Sequence, residues 1–254
     1  MSDSKYDIKP IPTDKDKTPL RACMKNGILP RFPSSMMISG RSGSGKTVAM
    51  LNLLTNEYLL KGYYHYICVF SPTANLGDDT YKILKLPSEN FKNEFTEEDL
   101  ETLISNRKKL IDSKGIEYVV KNSRVLIIID DCIADRSFLN SESALKTFAL
   151  LRHYQVSVMI LIQSYNRVPR ALRINSNATI IFPSTQSEVE VIIDEICPAG
   201  ISKKEFQKVI EYATEGKHDF LYINRHAERG EQIRKNLTEI IDITTFKKSN
   251  TKDY

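Results

Sequence analysis

Apolar residues in this chain gather in short runs separated by stretches with helical spacing. The run at 125–129, Val-Leu-Ile-Ile-Ile, is apolar throughout, as expected for a strand covered on both faces of a parallel sheet. Further strands are predicted at 35–39, 65–70, 157–163, 178–182 and 220–223. Strands that alternate with helices predict an α/β fold with a doubly wound, mainly parallel sheet flanked by helices.

Helices are predicted between these strands from apolar spacing and from capping residues. Positions 48–60 carry apolar residues at helical spacing, including Leu54 and Tyr58. Thr96, followed three residues later by Asp99, predicts a capping box for a helix that ends near Asp112. Three more helical patterns lie at 141–153, 187–196 and 202–214.

Composition and length predict one domain with polar ends. Residues 1–28 are rich in Lys, Asp and Pro, and we expect them to form a mobile arm. Residues 29–246 are expected to form a single domain, followed by a polar tail at 247–254. The chain of 254 residues has no apolar run near the roughly 18 residues of a membrane span. It also has no signal-peptide pattern and no paired cysteines with zinc spacing, so a soluble, reduced, intracellular protein without membrane contact is expected.

A glycine-rich segment after the first strand carries the strongest chemical signal. It has the Walker A pattern of a phosphate-binding loop, formed by Gly40, Arg41, Ser42, Gly43, Ser44, Gly45, Lys46 and Thr47. Glycines allow the tight turn that directs backbone N–H groups at phosphate oxygens, and the next helix adds its positive end. Lys46 is predicted to bind the β- and γ-phosphates of ATP, and Thr47 to bind Mg²⁺. A chance Gly/Ser loop is the alternative, but the strand before and the helix after argue against it.

Two acidic residues end the strand at 125–129. We expect Asp130 to hold the water shell of Mg²⁺, in the manner of a Walker B carboxylate. Asp131 stands where it could orient the attacking water. The alternative is that the strand ends here and that water solvates both carboxylates.

Further candidates surround the strand at 157–163. Gln163 at its end is predicted to lie near the γ-phosphate, or else only to bind a loop backbone. Arg152 before the strand is a candidate arginine finger for a neighbouring subunit, or a surface cation at a helix end. Arg167, Arg170 and Arg173 could bind an adjacent subunit or a nucleic-acid backbone, or form a solvated basic loop, or supply the arginine finger instead of Arg152. The net charge of +4 permits nucleic-acid binding without arguing for it.

Taken in order, these motifs resemble those of the genome-packaging ATPases of poxviruses, other large DNA viruses and virophages, members of the FtsK/HerA superfamily. The motifs are the phosphate loop, the Asp-Asp strand end, and Leu-Arg-His-Tyr before a strand that ends in Gln-Ser. The resemblance covers residues from about 35 to 181. It implies a P-loop NTPase fold of the additional-strand type, ring-shaped homo-oligomers and Mg²⁺-dependent ATP hydrolysis. It assigns functional roles to Lys46, Thr47, Asp130, Asp131, Gln163 and Arg152.

The resemblance further implies a motor that moves double-stranded DNA into a preformed capsid. The partners would then be DNA, capsid or portal-vertex proteins and further copies of the chain. The place of action would be the host cytoplasm or a viral factory, and association with the virion is a further option. Two alternatives stay open: a helicase or cellular-type DNA translocase, and a nucleotide-dependent assembly switch with little turnover.

Overall fold

A nine-stranded sheet organises the described part of the chain. The structure is a computed structural model, and it describes residues 19–73, 79–131, 148 and 150–247. The strands are β1 Ser35–Ser39, β2 Tyr66–Phe70, β3 Phe91–Lys92, β4 Val125–Asp130, β5 Val156–Ile162, β6 Ala178–Ile181, β7 Leu221–Asn224, β8 Ile233–Lys235 and β9 Glu239–Ile240. Their order across the sheet is β3-β2-β4-β5-β1-β6-β7-β8-β9.

The parallel part of the sheet has the additional strand that the family resemblance implied. β5 lies between β4 and β1 and is parallel to both. It therefore separates β1, which leads into the glycine loop, from β4, which leads into the acidic pair. Asp130 is opposite Leu161, and Ser39 is opposite Ile162. The carboxyl ends of β1, β4 and β5 therefore meet at one edge, where open α/β sheets bind ligands. This arrangement confirms the additional-strand P-loop fold.

Helices cover both faces of this sheet. They are α1 Ala22–Lys25, α2 Lys46–Thr55, α3 Glu97–Lys114, α4 Ile116–Asn122, α5 Arg170–Asn175, α6 Gln186–Ile196 and α7 Lys203–Ala213. One core cluster joins the sheet to α3, α6 and α7, and a second joins it to α1, α2 and α4. No helix among the described residues is both long and apolar enough to cross a membrane.

Helix α2 is shorter than the sequence predicted. It ends at Thr55, and Tyr58, which the pattern placed on its apolar side, is 86% exposed. The side chain of Asn56 accepts a hydrogen bond from the backbone N–H of Tyr58 at 2.8 Å. Such local bonding by asparagine offers the backbone an alternative to another helical turn.

Helix α3 begins as predicted and ends slightly later. Thr96 Oγ1 accepts from the N–H of Asp99, and the N–H of Thr96 donates to the Asp99 carboxylate, both at 3.2 Å. This reciprocal pair is the predicted capping box. The helix continues past Asp112 to Lys114, and Gly115 follows with a φ of 82°.

The predicted N-terminal arm is wrong for its last residues. Cys23 and Met24 on α1 are only 3% and 4% exposed, and they belong to the core cluster on the α2 face. Arg21 donates hydrogen bonds to the carbonyls of Glu57 and Leu59 at 3.1 Å. The prediction missed this segment because its apolar residues are too few to show a period. The rest of the predicted arm, most of the helix predicted at 141–153 and most of the tail lie outside the described residues.

Candidate nucleotide and metal site

The glycine loop connects the carboxyl end of β1 to the first turn of α2. The N–H of Gly40 donates to the carbonyl of Ile162 on β5 at 3.1 Å, which ties the loop to the neighbouring strand. Gly45 is the N-cap residue of α2 with a φ of 109°, a conformation that residues with a side chain rarely adopt. A Cβ atom on Gly40 would lie 2.6 Å from both Phe182 Cβ and Ser44 Oγ. The loop thus requires glycine at 40 for space and at 45 for backbone geometry.

These residues fit a bound phosphate chain. The N-terminus of α2 presents unpaired backbone N–H groups and a partial positive charge, which favour anions. Within the described part of the chain, Ser44 Oγ is buried without a hydrogen-bond partner. Buried hydroxyls usually have a partner, and a phosphate oxygen in the loop would provide one.

Lys46 points back into the loop that precedes it. Its Nζ donates to the carbonyls of Gly40 at 2.8 Å and Arg41 at 3.1 Å, and the residue is 7% exposed. Burial lowers the pKa of Lys46, while the charges of Asp131 and Asp130 act in the opposite direction. The ammonium group therefore binds the loop carbonyls and is stabilised by the charges of the acidic pair.

Asp130 and Thr47 form the expected metal pair. Thr47 Oγ1 donates to Asp130 Oδ2 at 3.3 Å, although 83 residues separate the two in sequence. Tyr81 Oη donates to the same carboxylate oxygen. Burial raises the pKa of Asp130, as does the charge of Asp131, whereas the hydrogen bonds from Tyr81 and Thr47 and the charge of Lys46 lower it. A hydroxyl and a carboxylate in contact are oxygen ligands suited to Mg²⁺ with its water shell.

Asp131 and Gln163 meet at the ends of neighbouring strands. Gln163 Nε2 donates to Asp131 Oδ2, and both residues are exposed at the edge that carries the glycine loop. Asp131 has a φ of 55°, a left-handed conformation that aspartate tolerates better than most residues. Of the predicted site residues, the structure thus brings together Lys46, Thr47, Asp130, Asp131 and Gln163.

Arg152 lies at the opposite end of the parallel strands, beside the amino end of β5. It is exposed in the turn before β5, a strand of seven residues that spans about 20 Å. Arg152 therefore cannot reach the glycine loop of its own chain. An action on nucleotide by this residue would need a neighbouring subunit.

The basic loop after Gln163 does not act as one surface. Arg173 is buried, and its guanidinium binds both oxygens of Glu195 at 2.9 and 2.6 Å. Arg170 reaches the same carboxylate at 3.6 Å with a side chain that is 71% exposed, and Arg167 is exposed. For Arg173 the sequence prediction of a contact with DNA or another subunit is wrong, because its charge is used inside the fold.

Three residues near the loop were not predicted from the sequence. Tyr81 lies between the strand predicted at 65–70 and the helix predicted after Thr96, and no local pattern marks it. Phe182 packs against Gly40 and Gly45 from the end of β6, and His218 Nδ1 lies 3.1 Å from the Ser44 carbonyl. Phe182 could have been suspected, since it ends an apolar run, but its target could not.

Solved structures with the same fold include viral NTPases. The genome-packaging NTPase B204 of Sulfolobus turreted icosahedral virus 2, in complex with AMP, superposes with a TM-score of 0.55 at 15% identity. The match covers 80% of this chain and 96% of that one. B204, the DNA-packaging ATPase from Sulfolobus turreted icosahedral virus, gives a TM-score of 0.52 at 14% identity over the same shares. At such low identity the likeness establishes the fold.

Sequence relatives are encoded by large DNA viruses. The DNA packaging protein OPG160 of Variola virus is 31% identical over 173 residues, which are 68% of this chain and 62% of that protein. The uncharacterized protein 075L of Invertebrate iridescent virus 6 is 24% identical over 195 residues, 77% of this chain and 72% of that protein. The match therefore spans less than two thirds of the poxvirus relative.

The sequence model of the poxvirus A32 protein family matches residues 24–227. This range includes the glycine loop, the acidic pair, Gln163 and every strand from β1 to β7. The chain belongs to the poxvirus A32 protein family.

Proposed function

We propose that this chain is a Mg²⁺-dependent ATPase that drives double-stranded DNA into a viral capsid. The observation that carries the proposal is the meeting of the glycine loop, the Thr47–Asp130 pair and the Asp131–Gln163 pair at one edge of the sheet. A structural loop would need neither a buried carboxylate beside its threonine nor a second acid at the next position. In P-loop NTPases a threonine and a buried aspartate hold Mg²⁺, and a further polar residue positions the attacking water.

The side chains have separate tasks in this proposal. The amides of residues 42–46 bind the phosphates of ATP, and Lys46 turns from the loop carbonyls to the β- and γ-phosphates. Thr47 and Asp130 would hold Mg²⁺, which offsets charge on the triphosphate when bound. Asp131 orients and polarises the attacking water.

Gln163 acts beside Asp131 in this scheme. Its amide donates to the Asp131 carboxylate, so it fixes the direction of that group and can also respond to the γ-phosphate. The position of the pair on adjacent strand ends would couple the state of the phosphate to β5. We therefore assign Gln163 a sensing role and Asp131 a catalytic role.

The relatives support DNA packaging as the work that this ATPase performs. The poxvirus proteins are named DNA packaging proteins, and B204 is a genome-packaging NTPase with the same fold. By this reasoning the partners are duplex DNA, a capsid or portal vertex and further copies of the chain in a ring. The process would occur in the host cytoplasm or a viral factory.

The test is steady-state ATP turnover with and without duplex DNA, each with and without Mg²⁺. We expect turnover that requires Mg²⁺, increases with duplex DNA and is lost in Lys46→Ala. Full turnover in Asp131→Asn would remove that residue from the chemistry. A single turnover without further cycles would indicate an assembly switch instead of a motor.

A strand-displacement assay separates packaging from unwinding. A packaging motor moves along duplex DNA without opening it, so no displaced strand is expected. Release of a labelled strand in an ATP-dependent manner would indicate a helicase.

A further inference from the structure

Tyr81 reaches the metal pair from a part of the chain that no motif covers. It lies in the 3₁₀ turn Asp79–Leu84, which packs against α2, the helix that carries Thr47. The side chain is 3% exposed, and its ring packs edge-on against Phe91 with 6.1 Å between the ring centroids. The ring is thus held in place independently of its hydroxyl group.

The hydroxyl group of Tyr81 is directed at Asp130. It donates to Asp130 Oδ2, the same oxygen that accepts from Thr47 Oγ1. Asp130 is 7% exposed, and a buried carboxylate without enough donors is strongly disfavoured in its charged form. Two hydroxyl donors on one oxygen both stabilise the charge and restrict rotation of the carboxylate.

We propose that Tyr81 is a positioning residue for the metal site, whose hydroxyl group holds Asp130 in the orientation that binding of Mg²⁺ with ATP requires. The proposal rests on the proposed function, because it assigns the metal to Thr47 and Asp130. Tyr81 acts through Asp130 and has no part in binding the phosphates. Partners of this kind behind a metal ligand typically change metal affinity about 10- to 100-fold when they are removed.

Tyr81→Phe separates positioning from packing, because it keeps the ring and removes only the hydroxyl group. Tyr63→Phe is the matched control. Tyr63 is also 3% exposed, and its hydroxyl group donates to the Pro19 carbonyl at 3.1 Å, away from the metal pair. Each variant removes the hydroxyl group of a buried ring and, with it, a hydrogen bond that this group donates.

The measurement is binding of a fluorescent ATP analogue, first in EDTA and then during a titration with Mg²⁺. In Tyr81→Phe we expect the half-saturating Mg²⁺ concentration to rise about tenfold, with the affinity measured in EDTA within about twofold of the unmodified chain. Tyr63→Phe should match the unmodified chain in both conditions.

Each other result has a defined meaning. The same Mg²⁺ dependence in Tyr81→Phe and the unmodified chain would overturn the proposal. Loss of binding in EDTA would also overturn it, since Tyr81 would then support the fold and not the metal. If Mg²⁺ has no effect on analogue binding by the unmodified chain, the proposed function itself fails, which is a separate outcome.

Discussion

At the residue scale, Gly40 has no space for a side chain, although its backbone angle would allow one. The atoms that a Cβ would meet are Phe182 Cβ and Ser44 Oγ, both at 2.6 Å. Phe182 is fully packed at 2% exposure, so the loop must move instead. We predict that Gly40→Ala weakens ATP binding at least about tenfold, equivalent to roughly 1.4 kcal/mol, as measured by titration with a fluorescent analogue.

Gly62→Ala is the control for this prediction. Gly62 has a φ of 65° and nothing within 4 Å of the position that a Cβ atom would occupy, so alanine meets backbone strain but no clash. It should lower the free energy of unfolding by about 1–2 kcal/mol and leave ATP affinity unchanged. Equal ATP affinities in the two variants would contradict a steric role for Gly40.

Arg173 and Arg170 differ in burial although both contact Glu195. We predict that Arg173→Ala lowers the free energy of unfolding by about 3 kcal/mol, because it leaves a buried carboxylate without its main partner. Arg170→Ala should cost less than about 1 kcal/mol, since its side chain is 71% exposed and its contact is long. Urea unfolding of both variants measures the difference. Similar small losses in both variants would mean that the pair of Arg173 and Glu195 does not stabilise the fold.

The pH dependence of unfolding gives an independent check on Arg173. Burial alone would raise the pKa of Glu195, but the hydrogen bond and charge of Arg173, with Tyr165 and Arg170, lower it below the ordinary value of 4.5. A depressed carboxyl pKa contributes stability above the ordinary value, and that stability is lost as pH falls through the folded value. The stability difference between the unmodified chain and Arg173→Ala should therefore shrink below about pH 4.5.

At the element scale, the sequence was most informative where burial is uniform. β4 is buried at every position, and its continuous run of apolar residues predicted the strand directly. β8 is also buried throughout, yet Arg234 and Lys235 occupy two of its three positions, and Lys235 pairs with Glu215 and Asp219. Buried charges with distant partners resemble surface residues in a sequence. This is why the antiparallel end of the sheet was predicted only as far as β7.

Separation along the chain likewise explains which residues of the candidate site could be predicted from the sequence. The glycine loop is contiguous, and the acidic pair and Gln163 end strands, so local patterns marked them. Tyr81 and His218 act across 49 and 174 residues of sequence. Neither lies in a motif. Only the folded structure brings them to the loop.

His218 connects the antiparallel half of the sheet to the glycine loop. Its ring lies before β7 and its Nδ1 is 3.1 Å from the Ser44 carbonyl, which accepts only if Nδ1 carries the proton. We predict that His218→Ala weakens ATP binding about 2- to 10-fold, the effect of losing one hydrogen bond of about 0.5–1.5 kcal/mol. Calorimetric titration with ATP would measure it.

His65→Ala provides the comparison for His218→Ala. His65 Nδ1 accepts from the N–H of Arg124 at 3.1 Å, and its ring lies at the start of β2, far from the loop end of the sheet. Its loss should leave ATP affinity unchanged. If both variants bind ATP with the affinity of the unmodified chain, the contact between His218 and the loop does not contribute to ATP binding.

At the scale of the whole molecule, the carboxyl ends and the amino ends of the parallel strands lie on opposite sides. The nucleotide site lies at the carboxyl ends of the strands, and Arg152 lies near the amino end of β5. In a ring of identical subunits each interface joins two different surfaces of the chain. Such an interface can place the amino edge of one subunit against the nucleotide site of the next, which is the arrangement that an arginine finger requires.

We predict that Arg152→Ala lowers DNA-stimulated ATP turnover by on the order of 1,000-fold or more, the scale of lost arginine fingers. Mixing it with Lys46→Ala should restore part of the turnover, because a Lys46→Ala subunit still offers its arginine to an intact neighbouring site. Arg31→Ala is the control, because Arg31 is also exposed. Burial lowers the pKa of His226, and the charges of Arg152 and Arg31 both lower it further, so the two arginines lie in the same region. Arg31→Ala should keep its turnover without mixing. Absence of rescue at every mixing ratio, with the subunits still assembling, would mean that Arg152 does not act across an interface.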